Sequence, residues 1–125
     1  MNRPGRRQQA ESRGRQAETK AALVLRAKGF AILSRRYRTP VGEIDLVAGR
    51  GRLVVFVEVK WRSTIEAALE SIHPNARARI ARAADHWLSR HPEFANYNTR
   101  FDVIALAPRR WPVHLKQAFD TPDPF

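Results

Sequence analysis

A length of 125 residues suits one domain, and 43% hydrophobic residues make the composition globular rather than disordered. The chain has no cysteine, which excludes disulfides, zinc–thiolate sites and thiol nucleophiles. Its 23 Lys and Arg against 12 Asp and Glu give a net charge of +11, which points to a polyanionic partner, because each neutralised phosphate releases counterions.

Residues 1–15 are expected to be a flexible basic arm. Arg3, Arg6, Arg7, Arg13 and Arg15 face only Glu11, and Pro4, Gly5 and Gly14 interrupt helix. Such an arm either grips phosphates or is an idle terminus. A single domain is expected over residues 16–119, and residues 120–125, with two prolines, are expected to be a loose tail. No apolar run reaches the ~20 residues of a membrane span and none follows the basic start, so a cytoplasmic protein without a membrane partner is expected.

The domain opens with a helix over residues 16–28, where Ala17, Ala21, Val24 and Leu25 form an apolar stripe and Gly29 stands at the C-terminal cap. Residues 30–38 read as a strand, followed by a turn at Pro40-Val41-Gly42. Residues 43–48 and 52–61 read as two further strands, joined through Gly49-Arg50-Gly51 as a hairpin. Leu53-Val54-Val55-Phe56-Val57 is apolar on both faces, as in a covered central strand. Residues 63–71 read as a short helix. Residues 75–90 read as a long one, with Ile80, Ala83, Ala84, Trp87 and Leu88 on one face and most of its arginines away from it. Strands over 101–107 and 113–118 complete the order α, β, β, β, α, α, β, β, an α/β protein.

The chemistry lies in Gly42-Glu43-Ile44-Asp45-Leu46 and, twelve residues on, Glu58-Val59-Lys60. Strand alternation puts Glu58 and Lys60 on one face with Phe56 and Val54, and Asp45 on a face with Glu43 and Val47, opposite Ile44 and Leu46. With the hairpin centred near Arg50, Asp45 falls opposite a residue near Phe56 and Glu58 opposite one near Glu43, so that Asp45, Glu58 and Lys60 converge diagonally. Two adjacent carboxylates repel, and a hard divalent cation such as Mg²⁺ relieves the repulsion by taking oxygen ligands. The Val59 carbonyl is a convenient third ligand, and Lys60 is placed to assist a water or to stabilise charge on a scissile phosphate. The plain alternative is a structural salt bridge of Lys60 with Glu58 or Asp45.

Glu18 shares a helical face with Ala21, Ala22 and Leu25. It either reaches the metal site through a water, pairs with a basic side chain, or stands solvated. His73, His86, His91 and His114 share no ligand spacing and are not read as zinc ligands. Asp102 is read as a structural partner of Arg100 or a neighbouring base, and Trp61 and Trp87 as core. Ser63 and Ser71 stand beside no base, so acyl transfer has no support.

Glu18, Gly42-Glu43-Ile44-Asp45-Leu46, Val55-Phe56-Val57-Glu58-Val59-Lys60-Trp61-Arg62 and Arg100-Phe101-Asp102-Val103 together resemble the bacterial YraN family over about residues 12–119. That family is grouped with the restriction-endonuclease-like proteins of the PD-(D/E)xK superfamily, and its layout is more distantly similar to that of archaeal Holliday-junction resolvases. The resemblance implies a mixed sheet flanked by helices and a metal-dependent endonuclease acting on DNA in preference to RNA. Branched or processed DNA is the substrate it suggests, and Mg²⁺ or Mn²⁺ the cofactor. It makes Asp45 and Glu58 the metal ligands, Lys60 the catalytic lysine, Glu18 the helix acid and Glu43 a secondary acid of the Gly-Glu-x-Asp motif. Arg62, Arg77 and Arg79 join the arm as candidate nucleic-acid contacts. One departure is Ala76, where many family members carry a lysine. The competing readings are a nucleic-acid-binding accessory module that keeps the fold without hydrolysis, and an RNA-binding structural protein. A homodimer and a DNA-processing protein partner fit the nuclease reading.

Overall fold

A computed structural model describes residues 6–118, with side chains from residue 14 onward. Helix α1 (Arg6–Ala27) is followed by strands β1 (Ala31–Thr39), β2 (Gly42–Arg50) and β3 (Leu53–Trp61). Helices α2 (Ile65–Glu70) and α3 (Pro74–Arg90) and a single 3₁₀ turn at Pro92–Phe94 lead to β4 (Asn98–Leu106) and β5 (Val113–Leu115). The five strands form one sheet in the order β1-β2-β3-β4-β5. All neighbours are antiparallel except β3 and β4, which run parallel. A parallel pair needs a long crossover, and α2 and α3 supply it. This is the mixed sheet flanked by helices that the resemblance implies.

The sheet is covered on both faces, which is why β3 tolerates no polar residue along its first half. Val54 and Phe56 pack towards α3 with Ile80, Ala83, Ala84 and Trp87. Val55 and Val57 pack towards α1 with Ala17, Ala21, Ala22 and Leu25. Trp87 is fully buried; its indole N–H donates to the Ser34 hydroxyl at 2.8 Å, and its ring stacks on His91. Among the described residues no helix is long and apolar enough to cross a membrane.

Four expectations change. First, α1 begins at Arg6, ten residues before the expected start, and takes in residues given to the arm. The single Gly14 within it costs about 1 kcal/mol, too little to stop a helix built from Arg, Gln, Ala and Glu. Arg3 lies outside the described residues, as do residues 119–125, and the side chains of Arg6, Arg7 and Arg13 are likewise outside them.

Second, the β2–β3 turn is the two-residue Gly51-Arg52, so the strands run on to the pair Arg50 and Leu53 and Leu46 lies opposite Val57. The register is two residues further along β3 than a turn centred on Arg50 would set. Third, side-chain alternation breaks at Asp45: Ile44 packs with Val47 in the α3-side core, whereas Leu46 packs in the α1-side core. Asp45 opens on the same side as Ala17 and Glu18 of α1, so it does not share a face with Val47 as strict alternation requires. The physical cause is a local kink across the pair, for Arg36 of β1, between the partners of Ile44 and Leu46, has a left-handed φ of 50°. Fourth, β5 is three residues long, ending at Leu115 rather than running to residue 118.

Gly42 is required by close approach. A Cβ there would stand 2.2 Å from the Arg79 carbonyl oxygen, so α3 crosses directly over the start of β2. Gly29, at φ +90°, ends α1 in a conformation that L side chains rarely adopt, and the Phe30 N–H reaches back to the Leu25 carbonyl.

Candidate metal centre and cleft

The β2–β3 ladder ends at Leu46 and Val57. One step beyond, the Asp45 side chain takes over the pairing: its Oδ2 accepts a hydrogen bond from the Val59 backbone N–H at 2.7 Å. Glu58 precedes Val59 on β3 and is near enough for its charge to act on Asp45. Lys60 completes the group with an Nζ–Glu58 Oε1 ion pair of 3.0 Å. Strand alternation from the buried Phe56 explains why Glu58 and Lys60 stand together, and both are largely sheltered.

Burial is the largest influence on Asp45, and the neighbouring Glu58 charge adds to it. The carboxyl is pushed from 3.8 up to about 7, although the Val59 N–H opposes the shift and Glu18 and Glu43 reinforce it. A carboxyl so placed resists ionising unless a positive charge stands near it.

Around Asp45 lies a cleft of about 580 Å³, lined by Gly14, Ala17, Glu18, Val59, Lys60, Trp61, Arg62, Ser63 and Pro108. Glu18 is buried in its wall, but Arg36 claims it: Nε donates to both carboxylate oxygens, at 2.8 and 2.9 Å. Of the alternatives open for Glu18, the structure selects pairing with a basic side chain. A smaller groove on the α3 side is lined by Glu43, Glu58, Lys60, Ala76, Arg79 and Ile80. Lys60 thus borders both openings, and Glu43 sits at the rim, 3.6 Å from Arg38 in a solvent-exposed pair.

Ala76 lines this groove, and Arg79, one turn later on α3, lines it too, so a basic side chain is present beside Glu58 and Lys60. Arg77 is exposed and does not line either opening. Arg62 lies on the cleft rim, with its guanidinium on the Trp61 carbonyl at 2.8 Å, while Arg15 is exposed on α1. Trp87 is core, whereas the half-buried Trp61 lines the cleft beneath the Lys20 ammonium, 4.5 Å from its ring centre.

The donor set admits a hard cation in part. Among the described residues no three His, Asp or Glu side chains stand close enough to cage a metal by themselves. Two carboxylates are present, and Val59 adds backbone oxygen: in an extended strand the N–H and C=O of one residue face the same side, and the Val59 N–H faces Asp45. Two carboxylates, one carbonyl and several waters are the donor set Mg²⁺ accepts.

A second buried carboxylate lies away from the cleft. Asp102, fully buried on β4, receives Arg100 Nε at 2.8 Å and Nη2 at 2.9 Å, His114 Nε2 at 2.8 Å and the Gln117 N–H at 3.1 Å. Burial raises its pKa, but these hydrogen bonds outweigh it and hold the carboxyl down at about 2. His114 Nδ1 in turn lies 2.8 Å from Lys28 Nζ. The network clamps β5 to the sheet and to the end of α1, the structural role expected of Asp102. The sequence reading missed Arg36, whose role depends on a kink that no local pattern announces.

The family model described as "Uncharacterised protein family UPF0102" matches residues 17–106. The chain belongs to this family, the YraN family that the linked motifs resemble. UPF0102 relatives include a protein of Chelativorans sp. (strain BNC1), 50% identical over 113 residues, 90% of this chain and 91% of that one. One from Mesorhizobium japonicum is 51% identical over 90% of each chain. A third, from Methylorubrum extorquens, is 50% identical over 94% of this chain and 92% of its own. Membership in UPF0102 covers Glu18, the β2–β3 acids and Lys60, all of which lie inside the matched span.

Proposed function

We propose that this UPF0102 protein is a metal-dependent endonuclease that hydrolyses phosphodiester bonds in DNA, in preference to RNA. The observation that carries the reading is the opening of the β2–β3 ladder, where Asp45 accepts the Val59 N–H, its carboxyl is raised to about 7 by burial and the Glu58 charge, and Glu58 is paired with Lys60. Asp45, Glu58 and the Val59 carbonyl would hold Mg²⁺ or Mn²⁺. A divalent cation bound there supplies charge neutralisation at the phosphate and a more acidic water.

The chain's own groups do the rest. The Val59 N–H fixes the Asp45 carboxylate in the lining of the cleft. Glu58 holds the Lys60 ammonium at the junction of cleft and groove, where its N–H donors reach an oxygen of the scissile phosphate and stabilise the charge that develops there. Arg79 in the groove and Arg62 on the rim grip flanking phosphates. The N-terminal arginines extend the grip. Cutting two strands of a duplex or junction calls for two such sites, which favours a homodimer or a DNA-processing partner.

A second reading is an accessory module that binds nucleic acid without hydrolysis. Two observations favour it: the Lys60–Glu58 and Arg36–Glu18 pairs already neutralise two acids, and no all-side-chain cage is present among the described residues.

The test is cleavage of linear, single-stranded, flap and four-way-junction DNA with Mg²⁺, Mn²⁺ or EDTA, comparing the natural protein with Lys60→Ala. The nuclease reading expects metal-dependent cutting that falls at least about 100-fold in the variant while DNA binding persists. Salt-sensitive binding without cutting of any substrate would leave the accessory module standing.

A further inference from the structure

The cleft has an unexplained neighbour. Because β3 and β4 run parallel, their C-terminal ends lie together: Trp61 pairs with Leu106, and the Arg62 N–H donates to the Leu106 carbonyl at 3.1 Å. The segment leaving β4 therefore emerges beside Lys60, and its Pro108 lines the cleft. The next three residues are Arg109, Arg110 and Trp111.

Trp111 is 90% exposed, whereas Trp87 is buried and Trp61 half-buried. Arg109 and Arg110 are exposed and make no ion pair among the described residues. The loop is held at both ends. On one side the Arg110 N–H reaches the Ala107 carbonyl, and on the other Val113 pairs with Ala105 and His114 is bound to Asp102. Arg109 is held at a positive φ of 61° within it. An indole raised into water on an anchored loop, preceded by two exposed arginines, has the chemistry of a stacking platform for a base whose phosphates are held by arginine. Trp111 is three steps along the chain from Pro108, so the two lie within ~11 Å, about the rise of three stacked nucleotides of one strand.

We propose that Trp111, with Arg109 and Arg110, binds an unpaired nucleotide of DNA beside the cleft, so that the protein selects substrates carrying a single-stranded segment next to the scissile phosphate. A fully paired base has its faces covered by its neighbours and offers Trp111 nothing to stack on. The selection deepens the nuclease reading and rests on it, while the stacking contact itself requires no hydrolysis.

The test uses the full chain in EDTA, where binding is read without cutting. Labelled probes are a blunt duplex, the same duplex with a single-stranded tail, and the tailed duplex with abasic positions in the tail. Trp111→Ala is expected to weaken binding to the tailed duplex by about 5- to 150-fold, to leave the blunt duplex unchanged, and to lose its effect on the abasic tail. Trp111→Phe should restore most of the loss. Equal weakening on tailed and blunt DNA, no weakening at all, or no DNA binding by the natural protein would each overturn the proposal. Repeating the assay with Mg²⁺ or Mn²⁺ separates the two readings. Tail-dependent stacking with no cutting sinks the nuclease and leaves the platform, whereas metal-dependent cutting indifferent to Trp111 does the reverse.

Discussion

Replacing Asp45 by Asn should make the metal-free protein more stable, and more so as the pH rises. The Asp45 carboxyl titrates at about 7 in the folded protein against 3.8 for an unperturbed group, chiefly because it is buried and feels the Glu58 charge. The folded state therefore binds a proton that the unfolded chain releases, and stability falls as pH rises from about 4 to about 7. The full penalty at neutral pH and above is on the order of 4 kcal/mol. Asn cannot ionise, and its side-chain oxygen can still accept the Val59 N–H, so it escapes the penalty and keeps the hydrogen bond that ends the ladder. The assay is urea denaturation in EDTA at several pH values. The two proteins should be nearly equal near about pH 4, with Asn ahead by roughly 1–4 kcal/mol near about pH 8. Adding Mg²⁺ should raise the natural protein alone, narrowing the gap. An Asn variant no more stable near about pH 8, or a gap that does not widen with pH, would refute the account of Asp45 as an acid held against its electrostatic preference.

The remaining outcomes are more local. Gly42→Ala should cost about 1–3 kcal/mol in urea denaturation, because the new Cβ meets backbone of α3, which must move as a body. The same shift carries Arg79 away from the groove, so DNA affinity should fall with it. For Asp102 the sign is opposite to that of Asp45. Its carboxyl is held at about 2, so its contribution is present above about pH 4 and is lost as pH falls towards 2. Asp102→Asn should be less stable at neutral pH and should show a flatter acid limb in thermal unfolding followed between about pH 5 and 2.

Much of the fold was legible because its signals are local. The apolar run of β3 reads as a strand covered on both faces, and the stripe from Ile80 to Leu88 reads as the buried side of a helix. Both readings depend only on periodicity. The start of α1 was less legible, since a single glycine, Gly14, is a weak breaker when the residues around it favour helix. The candidate site was legible as a set of residue types: Asp45, Glu58 and Lys60 stand near the ends of adjacent strands, where ionised groups call for partners. Trp111 was not, for exposure of an aromatic side chain is decided by what the rest of the chain fails to cover.

By itself, then, the sequence determined which segments become strands and helices, that β2 and β3 form a hairpin, and which charged side chains the hairpin carries. Only the tertiary structure decided how those charges meet. A two-residue turn instead of a longer one moved the register by two positions and brought Asp45 to the Val59 N–H, within reach of the Glu58 charge. A left-handed Arg36 on the neighbouring strand broke the alternation, turned Asp45 towards the α1 side and gave Glu18 its partner. The parallel pairing of β3 with β4 brought the Pro108–Trp111 loop to the same end of the sheet. Each of these depends on groups distant in the chain, whose relative positions are set by the summed packing of two cores rather than by the preference of any one segment.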